Sequence, residues 1–185
     1  MYIWVGINVE EQLKEVRRAV DGVFERIDIS NVTCQLPLHI SLKISFEIEN
    51  LLFDNVLSDI IDIYNAQKPF EILIKGVEKH ENIEWIKMYS NEKLEELATE
   101  LNMVLLEKYN VPLHEYDLDF IFHTTLFMDD DTEKINAAHN LLGNLDLPKK
   151  LVADTFVIGT SETGTNGTYK IYKTVNKNGG IYEIN

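Results

Sequence analysis

The sequence has few cysteines and few basic residues, and each shortage narrows the classes of protein to which it can belong. A single cysteine, Cys34, stands among 185 residues, so an internal disulfide is excluded and a free thiol in a reducing compartment is expected. Lysine and arginine number 17 against 31 acidic residues, which gives a formal net charge of −14. Because long nucleic acids are bound largely through cations that neutralise phosphates, this charge predicts no non-specific binding to long RNA or DNA.

Long apolar runs and familiar nucleotide-binding motifs are also missing. No apolar stretch is long enough to span a bilayer, and the N-terminus lacks the features of a signal peptide. We therefore expect a cytoplasmic protein with no membrane partner. Neither a glycine-rich nucleotide fingerprint nor the G-x-S-x-G elbow of a serine nucleophile occurs.

A short alternating segment, Leu38–Lys43, is the most informative stretch that is present. Its apolar residues alternate with His39, Ser41 and Lys43, which is typical of a strand with one aliphatic and one polar face. The imidazole of His39 and the hydroxyl of Ser41 are therefore expected to project from the same surface. The alternation also predicts Lys43 on that surface.

The same pattern recurs 84 residues later, where His123 and Thr125 take the places of His39 and Ser41. Each copy is followed by an acidic run, a helical pattern, a strand that ends near a glycine, and another strand. Gly76 and Gly159 mark corresponding points of the two copies. A repeat of this length indicates a duplicated domain with an approximate two-fold axis.

The order of elements in both copies is strand, helix, motif strand, helix, strand, which predicts the α+β class. We expect one domain over residues 1–185, built from repeats of approximately 1–82 and 83–185. Its architecture is a bilobal duplicated domain with two pseudo-two-fold related, mainly antiparallel sheets flanked by helices around a central groove. Segments 118–128 and 151–158 are each predicted to form one strand, 111–117 a loop, and 181–184 a short edge strand.

Two histidines and two hydroxyls related by a two-fold axis suit the hydrolysis of a phosphodiester. One imidazole takes a proton from the attacking water, and the other gives a proton to the leaving oxygen on the opposite side of phosphorus. Histidine titrates near neutral pH, so both forms are accessible. Hydroxyls can donate hydrogen bonds to the non-bridging oxygens. This chemistry requires no metal and no cofactor.

The pair H-I-S-L and H-T-T-L resembles the two H-x-[S/T]-hydrophobic motifs of the 2H phosphoesterase superfamily, which includes the 2′-5′ RNA ligase-like proteins and RNA 2′,3′-cyclic phosphodiesterases. The resemblance covers nearly the whole chain. It implies metal-independent hydrolysis of 2′,3′-cyclic phosphates or 2′-5′-linked nucleotides. By position in the motifs, it implies His39 and His123 as the catalytic acid–base pair and Ser41 and Thr125 as phosphate-binding residues. Which histidine is the acid stays open.

The expected substrate is a small cyclic nucleotide, an oligonucleotide or an RNA end, and the acidic charge favours the smaller ligands. The protein is expected to be a monomer. Two weaker hypotheses are that Lys43 adds positive charge at the site and that Phe127 stacks on a base. The alternative to an enzyme is a non-catalytic module that binds nucleotide or phosphate in the same groove.

Overall fold

Two antiparallel sheets form the frame of the molecule, in a computed structural model that describes residues 1–177 and 180–183. The first sheet has the strand order β2-β1-β7-β8-β9, and the second has the order β5-β4-β3-β6. The strands are β1 (Tyr2–Asn8), β2 (His39–Glu47), β3 (Phe70–Lys79), β4 (Ile83–Met88), β5 (His123–Met128), β6 (Lys150–Ala153), β7 (Thr155–Ser161), β8 (Lys170–Asn176) and β9 (Gly180–Glu183). The predicted α+β fold with two antiparallel sheets is confirmed.

Helices connect the strands in the predicted order. They are α1 (Lys14–Phe24), α2 (Phe53–Ala66), α3 (Glu92–Tyr109), α4 (Glu115–Leu118) and α5 (Thr132–Leu142), with 3-10 turns at Glu11–Leu13, Val32–Gln35 and Asn50–Leu52. The side chain of Asn91 accepts a hydrogen bond from the backbone of Leu94 and so caps α3. Asp131 caps α5 in a similar way. No helix in the described part of the chain is long and apolar enough to cross a membrane.

Each half of the chain places a strand in the sheet of the other half. The motif strand β2 pairs with β1, and the motif strand β5 pairs with β4. After its second helix, however, the first half contributes β3 to the sheet of β4, and the second half contributes β7 to the sheet of β1. Buried residues of both sheets and all the long helices join one hydrophobic core. This exchange therefore ties the two motif strands into one body.

Three boundaries differ from the sequence predictions. The apolar segment 151–158 is divided between β6, which pairs with β3, and β7, which pairs with β1. Asp154 lies at the switch between sheets, and an alternating pattern cannot tell one long strand from two short ones. The second motif strand begins at His123, and α4 replaces part of a predicted loop. The edge strand is present as β9, although residue 184 of that prediction lies outside the described residues.

Candidate active site at the two histidine motifs

The two motif strands are joined by hydrogen bonds between the sheets. The backbone amide of His39 donates to the hydroxyl of Thr124 at 3.1 Å. The loop that leads into β2 also crosses to β5, because the hydroxyl of Thr33 donates to the carbonyl of Leu126 at 3.0 Å. The fold therefore brings both motifs to one place.

A pocket of about 210 Å³ opens beside these strands. Polar groups from both motifs line it, namely those of His39, Ser41 and Thr125. The rest of the lining is mostly apolar or uncharged, and it comes from Trp4, Val32, Thr33, Leu36, Pro37, Ser45, Met128, Asn166, Gly167 and Tyr169. His123, two residues before Thr125 on the same strand, does not line the pocket directly.

Both imidazoles are held in the same way by the backbone. Nδ1 of His39 lies 2.7 Å from the carbonyl oxygen of Pro37, and Nδ1 of His123 lies 2.7 Å from that of Ile121. A carbonyl oxygen can only accept, so Nδ1 carries the proton in each ring. In the neutral form, Nε2 is then left with a lone pair for proton transfer.

Burial depresses the pKa of both histidines. The pKa of His39 is lowered to about 4, chiefly because burial disfavours the imidazolium, with a smaller effect from positive charge on His123. Burial also lowers the pKa of His123, and the nearby His80 and Lys87 add to that effect.

An indole supports the first histidine and its hydroxyl neighbour. The rings of Trp4 and His39 meet edge to face with centroids 4.2 Å apart, and Nε1 of Trp4 donates to the hydroxyl of Ser41 at 3.0 Å. Because Ser41 accepts this bond, its own proton is available to a ligand. The indole fits because Gly159 lies beneath it, where a Cβ would come within 2.7 Å of the ring. The sequence carries no signal that pairs Trp4 with the motif.

A second indole supports the other histidine. Trp85 contacts two imidazoles. The distance between ring centroids is 4.3 Å to His123 and 4.5 Å to His80. The sequence alone gives no sign that His80 lies near His123, because only the β3–β4 hairpin brings it back against Trp85. Nε1 of Trp85 is buried and makes no hydrogen bond within the described residues.

A bulge at the same position of each motif strand overturns the hypotheses for Lys43 and Phe127. In the pairing of β1 with β2, Leu42 is skipped, and in the pairing of β4 with β5, Leu126 is skipped. One extra residue reverses the face to which the next side chains of the strand point. Lys43 and Phe127 consequently turn into the protein interior and are 2% and 0% exposed.

The interior position of Lys43 gives it a structural partner. Its ammonium group lies 2.7 Å from the carboxylate of Asp117 and 2.8 Å from the amide oxygen of Asn102. The lysine therefore joins β2 to α3 and α4 and adds no positive charge to the pocket.

An ion pair fixes the chain just before the first motif. Arg17 donates to Glu10 at 3.0 Å and to the carbonyl oxygen of Leu36 at 2.9 Å. Glu10 in turn accepts from the backbone amide of Leu38 at 2.6 Å. These bonds hold both neighbours of Pro37, whose carbonyl oxygen orients His39. The pair therefore positions the imidazole without contacting it.

The two remaining histidines have structural partners. His114 caps α4, and Nδ1 of His139 lies 2.9 Å from the buried carboxylate of Glu84. Asp131, in the acidic run after the second motif, caps α5. Within the described ranges, no group of three or more histidine, cysteine, aspartate or glutamate side chains is arranged to hold a metal ion.

Comparison with solved structures identifies the fold. The protein TT0787 of Thermus thermophilus aligns over 97% of this chain and 99% of its own, with a TM-score of 0.61 and 17% identity. E. coli LigT in its apo form aligns over 94% and 95%, with a TM-score of 0.56 and 14% identity. A structure described as a phosphoesterase aligns over 91% and 92%, with a TM-score of 0.53 and 14% identity. No family model and no curated protein matches the sequence. The chain thus shares one fold with these proteins over almost its entire length.

Proposed function

We propose that this protein is a 2H phosphoesterase: a metal-independent phosphodiesterase that acts on 2′,3′-cyclic phosphates or 2′-5′-linked nucleotides. One observation carries the proposal. His39 and His123 occupy equivalent positions on two strands that a hydrogen bond joins. Nδ1 of each histidine is hydrogen-bonded to the carbonyl oxygen two residues before it, and each histidine is followed two residues later by a residue with a hydroxyl group. Two titratable groups held alike are what in-line displacement needs and what simple binding does not need.

The low pKa of His39 favours it as the base, which leaves the role of the acid to His123. With a pKa of about 4, His39 is neutral at pH 7 and can accept a proton from water at Nε2. The water oxygen forms its bond to phosphorus while the bond to the leaving ribose oxygen breaks. Protonated His123 gives its Nε2 proton to that oxygen. A phosphate bound nearby raises the pKa of His123 and so supplies the protonated form.

Ser41 and Thr125 are proposed to bind the non-bridging phosphate oxygens. Both side chains line the pocket, and the hydroxyl of Ser41 already accepts from Trp4. Its remaining proton can therefore point to an oxygen on which negative charge grows. Such a donor is worth about 10²–10³ in rate where it has been removed from other enzymes.

The comparisons support a small nucleotide-like substrate. Structures of E. coli LigT carry 3′-AMP and phosphate, each with a TM-score of 0.52 to this chain. By analogy, we propose a small cyclic nucleotide, a short oligonucleotide or an RNA end as the ligand. The net charge of −14 favours the smaller of these.

Hydrolysis tests the proposal directly. The purified protein is incubated with 2′,3′-cyclic nucleotides and 2′-5′-linked dinucleotides, with and without EDTA. We expect turnover that EDTA leaves unchanged, and a loss of about 10²–10⁴ in kcat/KM for His39→Ala and for His123→Ala. His114→Ala is the matched control. Turnover that survives both motif substitutions, or that EDTA abolishes, rejects the mechanism.

A non-catalytic phosphate-binding module is the second candidate, and one observation favours it. Burial lowers the pKa of both histidines, so without a ligand neither is poised as an acid at pH 7. Calorimetry of the same ligands, followed by product analysis of each sample, separates the two candidates. Tight binding with unchanged ligand supports the module, and binding with product supports the enzyme.

A further inference from the structure

A basic cluster, made of Lys75, His80 and Lys87, lies on the second sheet near His123. The ammonium groups of Lys75 and Lys87 lie 3.1 Å and 3.2 Å from the two carboxylate oxygens of Glu78. Nε2 of His80 lies 3.9 Å from the same carboxylate. Two ammonium groups share one carboxylate, so the cluster keeps an unmatched positive charge in a chain whose net charge is −14.

The strand register places the basic cluster on the face that carries the second motif. Lys87 of β4 is the partner of His123 on β5, and Glu78 of β3 is the partner of Trp85 on β4. Directly opposite residues of neighbouring strands point to the same side of a sheet. The ring of Trp85 contacts both His123 and His80. His80 and Lys87 also lower the pKa of His123, so the cluster lies within electrostatic reach of its imidazole.

A bulge in β3 brings Lys75 to this face. Residues three apart on a regular strand point to opposite faces, so Lys75 and Glu78 would be separated there. The register between β3 and β4 shifts between Ile74 and Gly76, which makes Lys75 an extra residue on its strand. Its ammonium group consequently reaches Glu78. Bulges are frequent next to active sites, where they re-aim a side chain.

The glycine of this bulge leaves open space over the sheet. A Cβ at Gly76 would meet no atom of the described chain within 4 Å, apart from its neighbours in sequence. At the corresponding Gly159, the residue across the sheet is Trp4, and a Cβ would come within 2.7 Å of the indole. The residue across from Gly76 is Lys87. The second half of the chain therefore presents a lysine and an open surface where the first half presents an indole.

The proposed reaction places a ribose of the substrate at this surface. His123 protonates the leaving oxygen, which belongs to a ribose in cyclic phosphates and in 2′-5′ linkages alike. In an oligonucleotide that ribose carries a further phosphate, at the next linkage of the chain. Ammonium groups form strong charge-assisted hydrogen bonds with phosphate oxygens.

We propose that Lys75, His80 and Lys87 form a second anion subsite, which binds the internucleotide phosphate next to the scissile one. This inference rests on the proposed function and adds a binding site outside the pocket of the two motifs. It assigns an oligonucleotide, with at least two phosphates, as the preferred substrate. The acidic chain then attracts this one phosphate locally, although its overall charge repels polyanions.

Two substrates that differ in one phosphate test the subsite. They are adenosine 2′,3′-cyclic phosphate and the same compound with a 5′-(methyl phosphate) group, which models the next internucleotide linkage. Overall charge predicts that the added anion slows turnover. The subsite predicts the opposite, a kcat/KM at least about fivefold higher for the 5′-(methyl phosphate) compound at low ionic strength.

A lysine substitution in the cluster tests the cause. Lys75→Met should remove most of the preference, expressed as the ratio of the two kcat/KM values. Lys93→Met is the matched control, because Lys93 is also exposed and also pairs with a glutamate three residues later. Both changes alter the net charge equally, and the ratio does not depend on the fraction of active protein. Circular dichroism verifies that both variants fold.

The outcomes separate this inference from the proposed function. Turnover of both substrates without a preference for the 5′-(methyl phosphate) compound overturns the subsite and leaves the phosphoesterase proposal intact. A preference that the two lysine variants change equally, or not at all, overturns the role of the basic cluster. No turnover of either substrate rejects the proposed function together with the subsite.

Discussion

The backbone amide of His39 donates a hydrogen bond to the hydroxyl of Thr124 at 3.1 Å, so the first residue of one motif strand is bonded to the second residue of the other. Thr124 belongs to the second motif, but its side chain points away from the pocket and is 1% exposed. Its neighbour Thr125 faces the pocket. Two adjacent threonines therefore serve two different purposes, one joining the strands and one facing the ligand.

This difference predicts opposite effects for two equivalent substitutions. Thr124→Val leaves the buried amide of His39 without its acceptor and should lower the free energy of unfolding by about 1–3 kcal/mol. Thr125→Val should change stability little but reduce kcat by about 10²–10³. Denaturant titration and steady-state kinetics of both variants check this. Equal losses of stability in the two variants contradict the assignment.

The indole of Trp4 should act through Ser41. Trp4→Phe keeps an aromatic ring beside His39 but removes the 3.0 Å hydrogen bond to the serine hydroxyl. We expect a fall in kcat of about tenfold, corresponding to about 1.4 kcal/mol. In a double-mutant cycle with Ser41→Ala, the two effects should be strongly non-additive, because Trp4 acts on the hydroxyl that the second change removes. Additive effects argue against this link.

Arg17 should matter for the site although it does not line the pocket. Arg17→Met removes the bonds to Glu10 and to the Leu36 carbonyl, which releases the segment that orients His39. We expect kcat to fall while KM changes little. Arg17→Lys should restore little, since one ammonium cannot reproduce the forked contacts of a guanidinium. Arg18→Met is the matched control, because Arg18 is exposed and pairs with Glu15 on the helix surface.

Lys43 should contribute to stability and not to phosphate binding. Lys43→Met leaves the buried carboxylate of Asp117 without its cation, and such a change typically costs about 3–5 kcal/mol. The ammonium group faces away from the pocket, so the variant that remains folded at low temperature should keep the wild-type KM. Thermal unfolding and kinetics well below the melting temperature measure the two quantities. A large rise in KM with unchanged stability would restore the idea that Lys43 binds phosphate.

The half-buried motif histidines should make the protein less stable in mild acid. The pKa of His39 is about 4 when folded and about 6.5 when unfolded, so the unfolded chain binds more protons between these values. The contribution of neutral His39 to the free energy of unfolding is fully present above pH 6.5. It is lost as the pH falls toward 4, which lowers the free energy of unfolding by up to about 3 kcal/mol. His39→Asn should flatten the dependence measured by urea titration from pH 7 to 4.

The sequence by itself determined which residues form the candidate site and how they are placed along their strands. Alternation of apolar and polar residues placed His39 with Ser41 and His123 with Thr125 on shared strand faces, because successive side chains of a strand point to opposite sides. The helix caps Asn91 and Asp131 also depend on local sequence, because each caps a helix that begins at the next residue. The repeat of 84 residues predicted two related sheets.

Only the tertiary structure decided what surrounds those residues. The bulges at Leu42 and Leu126 arise from pairing with neighbouring strands. The residue pattern within β2 or β5 therefore does not predict that Lys43 and Phe127 turn inward. The contacts of Trp4 with Ser41 and of Arg17 with the chain before His39 join residues far apart in sequence. Periodicity reports which way a side chain points along one element. The partner it meets, and therefore the charge around the pocket, depends on how the elements pack.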